Sequence, residues 1–226
     1  MTLSLYDLAG NDERRRFSPY CWRTRLALAH KGLAVETIPW RFTDKEAIAP
    51  SGQTKVPVLV DDDEWIADSW TIAIHLERKY PERPSLFAGS QGLTKIYNSL
   101  ADGLVASTFP FIALDILSVV HDKDVDYFRK SREEWVGKPL EDLVADRSSR
   151  IQGFRASLAP LRAVVAHQPF FGGDKPLYAD YALFGPFQWA RCASGLALLD
   201  EVGPLRGWFE RMLDLFGGLG RHTPAY

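Results

Sequence analysis

Ser18-Pro19-Tyr20-Cys21-Trp22-Arg23 places a hydroxyl and a proline where a strand and loop give way to a helix. A helix begun this way turns unpaired backbone N–H groups and the positive end of its dipole toward whatever lies near Ser18. That is a seat for an anion, a thiolate among them, because a free thiol has a pKa of ~8.5 and a nearby donor or positive field lowers it. Taken alone, Ser18 is equally an ordinary helix cap. Cys21 lies three residues on, so the segment reads as a C-x-x-C motif whose first cysteine is serine, and no disulfide cycle within it is available. At the third helical position a cysteine faces inward as an inert buried thiol, or it forms a mixed disulfide; both readings stand.

Other reactive residue types give less. His30, His75, His121, His167 and His222 show no paired metal spacing, so no metal is expected, and Cys192 sits among small residues as core. Arg14-Arg15-Arg16, preceded by Asp12-Glu13, either draws an acidic group toward a site or is a solvated loop whose charges cancel. With 27 basic and 29 acidic residues the formal charge is −2, which offers no basic excess for nucleic acid or anionic lipid. The longest apolar run, Phe109 to Val120, contains Pro110 and Asp115 and falls short of the roughly 20 residues of a membrane span. Two cysteines are too few for a disulfide framework, and Met1 to Asp7 lacks the basic start and apolar core of a signal peptide. A reducing, cytoplasmic setting is the expectation.

The elements that must position these residues fall into two kinds. Leu3-Ser4-Leu5-Tyr6-Asp7 alternates as a half-buried strand, Pro19 to Lys31 reads as a helix stopped at Gly32, and Val35-Glu36-Thr37-Ile38 reads as a second strand. That βαβ order implies a parallel pair. Val56 to Val60 and Trp65 to Ala67, around the acidic turn Asp61 to Glu64, read as a hairpin, with Ser69 capping a helix from Trp70 to Lys79. Tyr80-Pro81-Glu82-Arg83-Pro84 is a stiff connector. Beyond it, helical patterns run at about 91 to 120, 141 to 167, 178 to 194 and 203 to 216. Ile151, Phe154, Leu158, Leu161 and Val165 form one apolar face, whereas 121 to 140 is either a connecting loop or a short amphipathic helix.

Four motifs in this order, Ser18-Pro19-Tyr20, Lys55-Val56-Pro57, Asp68-Ser69 and Gly172-Gly173-Asp174 with Ala179-Asp180, make the chain resemble the cytosolic glutathione S-transferases over its whole length. The resemblance implies an α/β thioredoxin-like domain (βαβ-α-ββα) over 1–80, a linker over 81–90, and an all-helical domain over 91–226 that forms an electrophile pocket, in a homodimer. It implies glutathione as co-substrate, with Ser18 donating its hydroxyl to the glutathione sulfur. Pro57 resembles the family's cis-proline, so Val56 would pair its backbone with the cysteinyl part. Asp68 and Ser69 would hold the γ-glutamyl end, and Gln53 and Lys55 would reach the glycyl carboxylate. One departure is Leu177, where the family's late helix opens with a Ser or Thr cap.

The long loop from Leu8 to Phe17, together with Asp61-Asp62-Asp63-Glu64-Trp65, Tyr80-Pro81 and Leu215 to His222, is similar to bacterial glutathione-dependent β-aryl etherases and related fungal serine-type transferases. Such a resemblance implies an apolar pocket for a hydrophobic aromatic small molecule, for which Tyr20, Trp40, Phe42, Phe109 and Phe111 are candidates; aromatics at helical spacing are equally core. Two other readings stay open: a non-catalytic carrier of glutathione conjugates or polyphenols, and a Cys21-dependent thiol transferase.

Overall fold

The computed structural model describes residues 3–226. Met1 and Thr2, where the expected first domain and the leader reading begin, lie outside the described residues. The first half comprises β1 (Leu3–Leu8), α1 (Pro19–His30), β2 (Glu36–Trp40), β3 (Val58–Asp61), β4 (Glu64–Ala67) and α2 (Ser69–Lys79). Its sheet has the order β2-β1-β3-β4. β1 and β2 are parallel, with Ser4 opposite Glu36 and Leu8 opposite Trp40, while β3 runs antiparallel to both β1 and β4. This is the expected thioredoxin-like sheet. The helical piece between β2 and β3 is a 3-10 segment, Lys45–Ser51, containing Pro50 and closed by Gly52 at φ 70°, a conformation glycine adopts without steric cost.

The second half is helical: α3 (Gln91–Ile112), α4 (Val125–Val136), α5 (Leu140–Val144), α6 (Arg147–Ser157), α7 (Ala159–Val165), α8 (Tyr178–Ala193) and α9 (Pro204–Gly218). Three expectations change. The helix read as 91 to 120 ends at Ile112, because the following chain turns back so that Val119 O accepts the Asn11 N–H at 2.8 Å. The span 141 to 167 splits into three; Pro160 lacks an N–H and disfavours helical backbone at its neighbour, so α6 ends where α7 begins. Ile151, Phe154, Leu158, Leu161 and Val165 nevertheless stay buried across that break. Finally, the ambiguous 121 to 140 stretch is helix α4 for most of its length.

α8 is the central pillar, with every residue from Tyr178 to Ala190 buried, and it packs on both α1 and α3. Trp22 of α1 meets Phe184 of α8 edge to face with ring centroids 5.9 Å apart. Burying a large apolar side chain contributes roughly 1.5–3 kcal/mol, so this seam carries much of the adhesion between the halves. A close approach fixes it: a Cβ on Gly185 would sit 2.3 Å from Pro19 O. In place of the missing cap hydroxyl at Leu177, Asp180 accepts from Leu177 N, Phe171 N, Gly172 N and Trp208 Nε1 at 2.7 to 3.0 Å. The connector after α2 is packed, with Leu86 and Phe87 buried and Leu86 O accepting from Tyr178 N. Among the described residues no helix is long and apolar enough to cross a membrane.

Candidate active site

Ser18 is the N-cap of α1, buried, with extended backbone (φ −66°, ψ 126°). Its Oγ accepts from Cys21 N at 3.2 Å, and its carbonyl accepts from Trp22 N. Pro19 has no N–H, so the first turn offers a ligand only the Tyr20 amide and the Ser18 hydroxyl proton. The expected row of free amides is thus reduced to one. Two acceptors compete for that proton: the Cys21 thiol beside it, and whatever anion enters the cavity. A charged acceptor wins, because charge-assisted hydrogen bonds are about twice as strong as neutral ones.

Ser18 lies on a cavity of about 440 Å³ between the two halves. The first half supplies Leu8, Phe17, Tyr20, Trp40, Phe42, Thr54, Lys55 and Val56 to its wall. The second supplies Val105, Ala106 and Phe109 from α3, Tyr127, Phe128, Ser131, Arg132 and Trp135 from α4, and Trp189 from α8. Phe109 stacks on Trp189 at 6.1 Å and meets Trp135 at 5.5 Å, so one side of the cavity is an aromatic wall. The start of α4 is held to the first half by buried Asp124, whose carboxylate accepts from Phe42 N, Thr43 N and Thr43 Oγ1. Lys123 beside it pairs with Asp44.

Of the residues singled out in the sequence, Ser18, Tyr20, Trp40, Phe42, Lys55, Val56 and Phe109 come together on this cavity. Phe111 does not: two residues past Phe109 it faces the other side of α3, against Phe154 at 5.1 Å and under Arg150. Pro57 is buried behind Val56, and the Val56–Pro57 peptide is cis. Val56 itself lies beyond the last pair of the β1–β3 ladder. Gln53 is exposed and off the cavity wall. The three arginines of the loop are spoken for elsewhere: Arg14 pairs with Asp12, Arg15 donates to Cys192 O, and Arg16 donates to Asp7 O and Glu13 O.

Asp68 and Ser69 form the head of α2 rather than the cavity wall. Asp68, not Ser69, is the N-cap; its Oδ1 accepts from Trp70 N, Thr71 N and Thr71 Oγ1, which holds it at φ 75°. A non-glycine residue in that region costs on the order of 1–3 kcal/mol and marks a constrained position. Asp68 adjoins Tyr20, whose phenol is pushed up first by burial and then by the Asp102 and Asp68 charges, against Arg23. Arg23 is buried and pairs with Asp102 at 2.7 Å and Asn98 at 3.0 Å; among the described residues its Nε and Nη2 have no hydrogen-bond partner. Neither Arg23 nor the α4 residues stood out in the sequence, although Phe128, Ser131, Arg132 and Trp135 recur at three- and four-residue steps.

Cys21 points inward, fully buried, and its thiol is pushed well above the usual thiol range by burial and by the charge of Asp7. Asp7 is itself buried, its pKa raised by burial against Arg25 and Arg16. Among the described residues no group of three or more His, Cys, Asp or Glu is placed to hold a metal.

A thioredoxin-like sheet domain, with a serine at the start of its first helix, faces an aromatic-lined cleft formed with a helical domain. Comparison with known proteins carries this further: the chain belongs to the glutathione S-transferase family. Its residues 14–84 match the glutathione S-transferase N-terminal domain and residues 92–216 the C-terminal domain. A zeta-class glutathione S-transferase of Euphorbia esula is 35% identical over 144 residues, covering 61% of this chain and 62% of that protein. The glutathione S-transferase-like protein ustS of Aspergillus flavus is 29% identical over 139 residues, covering 54% and 49% respectively. The chain therefore aligns with less than two thirds of either relative's length. Among solved structures, a glutathione S-transferase of Ceriporiopsis subvermispora in complex with glutathione superposes with a TM-score of 0.82 over 99% of both chains at 22% identity. A glutathione transferase of Phanerochaete chrysosporium gives 0.70 at 26% identity, over 97% of this chain and 93% of that one.

Proposed function

We propose that the protein is a serine-type glutathione transferase in which Ser18 stabilises the thiolate of glutathione for attack on a hydrophobic aromatic electrophile. The observation that carries this is the Ser18 hydroxyl, oriented by its cap bond to Cys21 N, at the edge of an aromatic-walled cavity. The thiol proton leaves to water; the sulfur forms a bond to the electrophilic carbon while the leaving group departs with its electron pair. Ser18 forms no bond to carbon. Val56, free of the sheet ladder and on the cavity, supports backbone pairing with the cysteinyl part. Lys55 suits the glycyl carboxylate, with Gln53 beside it. The head of α2, Asp68 and Ser69, suits the γ-glutamyl end. An aryl ether fits the cavity as electrophile, since two rings have Phe42, Phe109, Trp135 and Trp189 to pack on.

Domain limits of 1–80, 81–90 and 91–226 go with this reading, as does a homodimer. Leu93, Ile96 and Leu100 form an exposed apolar stripe along α3 that a second copy would cover. Two buried free thiols, Cys21 and Cys192, accord with a reducing, cytoplasmic setting. A thiol transferase using Cys21 is disfavoured by the burial and raised pKa of that thiol.

The test is a conjugation assay on Ser18→Ala. Loss of one preorganised donor to a developing or bound anion costs about a hundredfold in rate. A full conjugation rate in Ser18→Ala would sink the mechanism. Glutathione binding without turnover of any aryl halide, aryl ether or hydroperoxide would favour the carrier instead.

A further inference from the structure

The cavity holds a cation that its own walls do not balance. Arg132 of α4 lines it, with its guanidinium carbon 4.9 Å from the Phe128 ring centroid and 5.5 Å from that of Phe42. Its one protein hydrogen bond among the described residues is Nη1 to Ser131 Oγ at 3.1 Å. One turn earlier, Arg129 sits between Glu133 and Glu141 at 3.0 and 2.9 Å, whereas Arg132 makes no ion pair among the described residues. Among the described residues no Asp or Glu lines the cavity. Burial lowers the pKa of Arg132, opposed only by the Tyr127 phenol, yet a guanidinium stays charged at every working pH. A half-buried cation without a counter-charge is costly, and a planar fork over aromatic rings is suited to an oxyanion on a flat ligand.

We propose that Arg132 selects aromatic electrophiles bearing an oxyanion, a ring carboxylate above all, in the cavity beside Ser18. This rests on the transferase reading, in which the anionic ends of glutathione are taken by Lys55 and by the head of α2, leaving Arg132 for the second substrate. The ring lies against Phe109, Trp135 and Trp189, and its carboxylate accepts from the free edge of the guanidinium. Arg132 thereby sets which electrophile binds without taking part in bond formation.

The experiment compares chloronitrobenzoate with uncharged chlorodinitrobenzene as glutathione acceptors for the unaltered protein, Arg132→Gln and Arg132→Lys. In parallel, the preformed thioether product of each is titrated by quenching of tryptophan fluorescence. Expected is a fall of about tenfold or more in the ratio of kcat/KM for the carboxylated over the neutral acceptor in Arg132→Gln, carried by KM. Arg132→Lys should restore part of it, and the carboxylated product alone should lose affinity. An unchanged ratio, or a change confined to the KM of glutathione, overturns the proposal. If no acceptor turns over but Arg132→Gln still weakens the carboxylated product selectively, the transferase reading falls and the anion site stands. If neither product binds, both fall.

Discussion

Where α1 lies against α8 the two halves touch with no gap, whereas at the start of α1 they part to leave a cavity of about 440 Å³. The seam is closely packed: Trp22 lies on Phe184 and Pro19 on Gly185. The cleft is walled by side chains that the fold does not need to be apolar or uncharged, Lys55, Ser131 and Arg132 among them. The difference teaches that position and selectivity come from different contacts. Packing on α8 decides where Ser18 sits, and α4 decides what can lie opposite it.

The largest effect should come from breaking the seam. Gly185→Ala puts a methyl into Pro19 O, and because the obstructing atom is backbone the cost should reach about 3 kcal/mol, the upper part of the range for overpacking. A denaturant midpoint unchanged from the parent would show that the seam yields. Next is the strap on the cleft. Asp124→Ala leaves Phe42 N, Thr43 N and Thr43 Oγ1 without their acceptor, which should cost about 2 kcal/mol and raise electrophile KM more than glutathione KM. Equal changes in both would mean that α4 does not belong to the electrophile wall alone. A helical glycine with open space around it makes the counterpart to Gly185: Gly153→Ala in α6 should stabilise by about 0.5–1 kcal/mol, read in the same unfolding curves. Smallest is a null result that tests whether the core around α1 and α8 is closed. Burial pushes Cys21 well above the usual thiol range and Cys192 up to about 12, so neither thiol should react with a maleimide in native buffer, and both should react after unfolding. Native labelling would mean that the core around the labelled thiol opens.

The same division governs how much could be read before the coordinates. Local chemistry told most about the first half: Pro19 after Ser18, the acidic hairpin turn and the Asp68-Ser69 helix start each act within a few residues of themselves. The sheet followed from them. The second half was legible as helices but not as breaks, because the end of α3 is set by a bond to Asn11 more than a hundred residues earlier in the chain. Site residues behaved alike. Ser18, Lys55 and Val56 lie on loops whose position on the cavity follows from backbone geometry, whereas Phe109 and Phe111 were indistinguishable until α3 had a partner on each face. Arg132 was hidden for a related reason: its charge becomes informative only once Arg129, not Arg132, is seen to take Glu133 and Glu141.

Asp124 has one more consequence. It attaches α4 to the first half through three hydrogen bonds to a single short loop, while the position of Ser18 is set independently where α1 meets α8. Under the proposed transferase reading, lineages that share this architecture can rewrite α4, and with it their choice of second substrate, while inheriting the seat of the nucleophile unaltered.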